Sequence, residues 1–167
     1  MEELPESLFD GPEDEVEPRF YRWLWSQAGP DEWHRFALGA NWDMHDPVVY
    51  EWVAAQPDCD KATALTLFWL AQPEYAAEHP DASDEHRALI GQIRDRWLSG
   101  GYSRSELAFE PGVDAWFPDF ARLQQTLGDR AEEEMPSSMR ISLPGRRLDL
   151  SEDIEGIPSR FWPPELR

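Results

Sequence analysis

The chain holds a single cysteine, Cys59, and a single lysine, Lys61. One cysteine excludes an intrachain disulfide and a cluster of thiolate metal ligands. Positive charge is scarce: 15 basic residues stand against 34 acidic ones, a formal charge of -19. Nucleic-acid binders neutralise phosphates with Lys and Arg, so DNA and RNA are not expected partners. An anionic membrane surface is disfavoured on the same ground. No apolar stretch approaches the roughly 20 residues of a membrane span. The segment Met1 to Asp10 lacks the basic start and apolar run of a secretory signal, so the cytoplasm is the expected location. Gly91, Gly100 and Gly101 lack the strand and lysine context of a phosphate-cradling loop.

What the chain does have is aromatic mass. Nine tryptophans and an aromatic fraction of 13% supply the buried area of a folded core. Disordered chains are poor in such residues. At 167 residues one domain with its own core is expected.

The apolar spacing predicts a mainly α protein, a helical bundle of five to seven helices. Residues 1–17 carry eight acids and no base, and are expected to form a mobile arm. A helical domain then runs over 18–135. Pro18 is expected to open its first helix, with Phe20, Trp23 and Leu24 on one face and Gly29-Pro30 as the stop. Trp33, Phe36 and Ala37 mark a second helix ending at Gly39. Asp46-Pro47 reads as a side-chain cap followed by a proline at the first helical position. Asp60 caps the next helix, where Ala62 to Ala71 is apolar almost all round and so belongs at the centre. Ser83 opens a longer helix with Leu89, Ile90, Ile93 and Trp97 in one stripe, ended by Gly100-Gly101. A last helix is expected from near Pro118 to Glu134, with Trp116, Phe117, Phe120, Leu123 and Leu127 as its apolar pattern. In the segment 136–167, Arg140 to Leu143 and Arg147 to Leu150 alternate across Pro144-Gly145. That predicts a small C-terminal β-hairpin, followed by an extended tail packed on the domain. Trp25 and Trp42 fit the helical stripes least and are expected nearer the surface.

The densest group of reactive side chains is His34, Asp43, His45, Asp46, Cys59 and Asp60. Its spacing matches no helical ligand pair, and caps and turns account for its acids. Cys59 lies between Asp58 and Asp60, whose charge raises a thiol pKa, the wrong direction for a nucleophile. No catalytic residue, cofactor or metal is therefore assigned.

Phe36-Ala37-Leu38 leads to Asn41-Trp42-Asp43. Gln56-Pro57-Asp58-Cys59-Asp60 then runs into Lys61-Ala62-Thr63-Ala64-Leu65, followed by Phe68-Trp69 and Pro73-Glu74-Tyr75. This run, from about residue 33 to 104, resembles the bacterial domain of unknown function 4274, with its N-W-D turn and C-D-x-x-T-A-L-x-x-F-W helix. Small bacterial domains of this kind occur around polymorphic toxin systems, often as immunity proteins. The resemblance therefore implies a binding protein, an immunity protein that neutralises a secreted toxin. Two alternatives stand beside it. One is an adaptor or chaperone for a secreted effector. The other is a small enzyme or ligand binder centred on the N-W-D turn and Cys59.

A basic protein surface is the electrostatic counterpart of so acidic a chain. Residues 31–60 contain seven acids against Arg35, the clearest acidic concentration outside the N-terminal arm. The expected partner-binding residues are Asp31, Glu32, Trp42, Asp43, Asp46, Glu51 and Asp58.

Overall fold

The computed structural model describes residues 7, 10, 12–39, 41–42, 46–151, 156–157 and 159–161. Eight α-helices lie among them: α1 Glu13–Ser26, α2 Pro30–Gly39, α3 Pro47–Ala55, α4 Lys61–Leu70, α5 Pro73–Glu78, α6 Asp84–Leu98, α7 Phe120–Leu127 and α8 Arg130–Glu134. The mainly helical fold class follows.

The central element is α4. Every side chain from Ala62 to Trp69 is buried, so the helix has no solvent face. Helix α2 packs on it, α3 packs against both α1 and α6, and α6 also reaches α4. The C-terminal helices α7 and α8 pack on α5. One continuous core joins these layers, from Leu24 and Trp25 in α1 to Leu123, Met135 and Met139. The indole of Trp69 donates to the Met139 carbonyl at 3.1 Å, and its ring meets Phe117 and Phe120. Among the described residues no helix is long and apolar enough to cross a membrane.

The caps sit where the sequence places them. Asp46 accepts from the Val48 amide at 2.9 Å, Asp60 from Ala62 at 2.9 Å and Ser83 from His86 at 3.3 Å. Four expectations need correction. Helix α1 begins at Glu13, so Pro18 lies inside it and residues 13–17 of the expected arm are helical. Pro18 offers no amide to the carbonyl four residues back, but the guanidinium of Arg19 donates to the neighbouring Glu15 carbonyl at 3.1 Å. The expected last helix is two helices, because Gly128 takes φ 59, ψ -134 and ends α7; this gives eight helices rather than five to seven.

The third correction is the hairpin, which does not form. Residues 143–146 pair instead with 106–109: Phe109 and Leu143 exchange amide–carbonyl bonds at 3.0 and 2.8 Å, and Arg146 donates to the Glu106 carbonyl at 2.9 Å. Gly145 lies flat on that segment, where a Cβ would stand 2.5 Å from the Leu107 carbonyl carbon. The fourth is Trp25, which is fully buried, tilted against Phe36 at 4.6 Å and edge-on to Phe161 at 6.1 Å.

Candidate functional site

Asp60 shows how the C-D segment is used. Its side chain is fully buried at the start of α4. One oxygen caps Ala62; the other accepts from the Glu106 amide at 2.7 Å, with the Arg104 guanidinium 3.8 Å away. The Lys61 amide returns a bond to the Arg104 carbonyl at 3.0 Å. Asp60 thus ties the central helix to the 104–109 segment. Thr63, three residues on, hydrogen-bonds the buried His34 ring at 3.2 Å, which also bonds the Ala108 backbone. Burial lowers the His34 pKa to about 4, against the opposing pull of Asp60, Asp114 and Asp31. Cys59 is buried, and desolvation pushes its thiol up to about 12; Asp60 adds to the rise and Arg96 opposes it. A thiol in that state supplies no thiolate near neutral pH. These residues are a structural knot joining α2, α4 and the 104–109 segment.

Trp42 belongs to a second network. It is half-buried and stacks on Tyr50 at 4.3 Å and on His86 at 5.4 Å. Its indole donates to His86 Nε2 at 2.7 Å, and Ser83 Oγ stands 2.8 Å from His86 Nδ1. An indole N–H is a donor only, so Nε2 is the acceptor. The proton of the neutral ring is then on Nδ1, directed at Ser83. Ser83 is also the cap of α6, its Oγ accepting from the His86 amide at 3.3 Å.

The expected partner-binding residues separate into two groups. Asp31 and Glu32, on the first turn of α2, are engaged by arginines from the C-terminal segment, Arg146 at 2.9 Å and Arg160 at 2.7 Å. Asp46, the cap of α3, and Glu85, at the start of α6, both act electrostatically on Glu51 of α3. The Glu51 carboxyl is raised above its ordinary value, first by partial burial and then by Asp46 and Glu85, with Arg22 opposing. Asp58 is exposed in the turn before α4. Asp43 and His45 lie outside the described residues. Among the described residues no group of three or more His, Cys, Asp or Glu is placed to hold a metal ion. Glu85 escaped the sequence reading because only the packing of α6 on α3 brings its charge to bear on Glu51.

A groove beside α5 was also missed. One cavity of about 390 Å³ is lined by Gln72, Glu74, Tyr75, Glu78, Trp116 and Arg122. A second of about 180 Å³ shares Gln72 and Tyr75 with it and extends to Trp42, Ser83 and His86. The N-W-D tryptophan and the Pro73-Glu74-Tyr75 segment, far apart in sequence, thus meet along one groove. Gln72 takes a left-handed conformation with φ 51, uncommon for a residue with a Cβ.

Residues 28–98 match the family described as a domain of unknown function, DUF4274. The matched stretch runs from just before α2 to the end of α6. The match takes in less than half of the chain: α1 and everything after α6, including Arg104 and Glu106, which meet Asp60, lie outside it. No curated protein and no solved structure matches the chain.

Proposed function

We propose that this protein is a binding protein of the immunity class, which neutralises a secreted bacterial toxin in the cytoplasm by direct contact through an acidic surface. The observation that carries the reading is the acidic surface at the start of α3 and α6, where the Glu51 carboxyl is raised first by partial burial and then by the charges of Asp46 and Glu85, with Arg22 opposing. Such a patch keeps its potential outside the protein and offers it to a basic partner. The reading is also supported by how the reactive side chains are used: Cys59 and His34 are buried, and Asp60 is committed to backbone amides. The charge of -19 fits inhibition of a basic enzyme by occlusion.

The experiment is co-expression with the product of the adjacent reading frame, followed by co-purification and a growth assay. The reading expects a stable complex and relief of toxicity. Charge reversal at Asp46 or Glu51 should slow association by about two- to tenfold at low salt. An adjacent product that neither binds nor harms growth would count against the reading. Binding to its targeting region with no effect on its toxicity would favour an adaptor role.

A further inference from the structure

The groove between α5 and the residues before α7 has a composition that the acidic patch does not explain. Two aromatic rings stand in solvent there: Trp116 is 60% exposed and Tyr75 47% exposed. Tyr75 is held in plane by His79, stacked at 4.0 Å. Arg122 and Glu78 form a two-pronged pair at 2.7 and 3.0 Å, which leaves the remaining guanidinium N–H groups unused by that pair. Glu74 is only 6% exposed, and its Oε2 has no hydrogen-bond partner among the described residues. Buried carboxyl oxygens are normally bonded, so an unmatched one lining a cavity marks a place for a donor. Its carboxyl is raised by burial and by Glu78, consistent with an incomplete set of partners.

The polar groups sort the possible ligands. Donors come from Arg122 and from the Gln72 amide; acceptors come from Glu74, Glu78 and the same amide. A cation wants acceptors alone and would meet the resident guanidinium. An anion would meet two carboxylates. A neutral molecule with alternating hydroxyls uses both kinds, and an apolar C–H face matches an exposed indole. The volume of about 390 Å³ is near the lower end of the ~300–1,000 Å³ typical of small-molecule sites, so the ligand is small. The geometry points to a binding site for a neutral polyhydroxylated ligand of about one sugar ring, its flat face on Trp116 and its hydroxyls on Glu74, Gln72 and the Arg122–Glu78 pair. None of the residues that line this cavity is Asp46, Glu51 or Glu85.

Saturation-transfer NMR with the full chain tests it, using glucose, galactose, mannose and N-acetylglucosamine as probes at up to about 20 mM, since single-ring ligands bind near the millimolar range. Acetyl-arginine amide serves as the cationic probe. At least one sugar should bind. Trp116→Ala, at an exposed position, should weaken it about tenfold with the thermal midpoint unchanged. Glu74→Gln keeps an acceptor oxygen and should hold sugar affinity within about threefold. The proposal is overturned if none of the four sugars binds, if Trp116→Ala leaves the bound sugar unaffected, or if the arginine probe binds more tightly than every sugar and Glu74→Gln abolishes it.

Discussion

Replacing Asp60 with alanine separates a buried anchor from an ordinary helix cap. The wild-type carboxylate accepts from Ala62 at 2.9 Å and from Glu106 at 2.7 Å, with no solvent exposure. Loss of the cap costs about 1 kcal/mol. Loss of the bond to Glu106, which an ionised acceptor makes stronger, costs roughly 1.5–3 kcal/mol and leaves a partly buried amide unmatched. The Arg104 guanidinium also loses its partner 3.8 Å away. The sum is about 2.5–4 kcal/mol, a large share of the ~5–15 kcal/mol that holds a typical domain together. Asp46→Ala is the matched control, because Asp46 caps α3 from an exposed position, its side chain bonded to Val48 among the described residues. It should cost about 1 kcal/mol. Urea unfolding followed by tryptophan fluorescence measures both, provided the slope with denaturant is unchanged. Equal costs for the two substitutions would refute the claim that Asp60 joins α4 to the 104–109 segment.

Other substitutions probe the same structure. Stability should fall as the pH drops from about 6.5 toward 4, because His34 is held neutral when folded and takes up a proton on unfolding; the His34 contribution is about 3 kcal/mol, and His34→Gln should remove that part of the slope in a urea–pH series. Glu51 has the opposite sign: its folded pKa is raised, so its contribution is present at low pH and is lost as the pH rises past the ordinary carboxylate value of 4.5. Glu51→Gln should therefore be the more stable protein at pH 7, with the gain gone below that value. Gly145→Ala should destabilise by about 1–3 kcal/mol in thermal unfolding, since its Cβ would meet the Leu107 backbone rather than a movable side chain. Cys59 should resist a thiol reagent at pH 8 in the native protein and react at once in urea.

The local signals were legible in the sequence. Asp46, Asp60 and Ser83 read as caps because a short polar side chain before an apolar run has one favourable use. The run from Ala62 to Trp69 read as the central helix because it offers no polar face. The failures involve partners distant in the chain. Trp25 gave no stripe with Phe20, Trp23 and Leu24, and what buries it includes Phe36 and Phe161. Residues 140–150 alternate as a hairpin does, but the pairing partner is 106–109, which no local pattern names. Thr63 bonds His34 on another helix, a partner that no local pattern names. The site divided in the same way. The charges on α3 could be named, but Glu85 and the Trp116 groove arise only when helices meet. Trp116 itself was read into the helical pattern ahead of Leu123, yet α7 begins only at Phe120 and leaves that ring in solvent.

The proposed binding role is tested most directly by the association rate between this protein and the purified product of the adjacent reading frame, measured by stopped flow across a range of salt. The rate should fall steeply as salt rises, and drop at low salt in Glu51→Lys while Trp116→Ala leaves it unchanged. A rate indifferent to both salt and Glu51→Lys would contradict it.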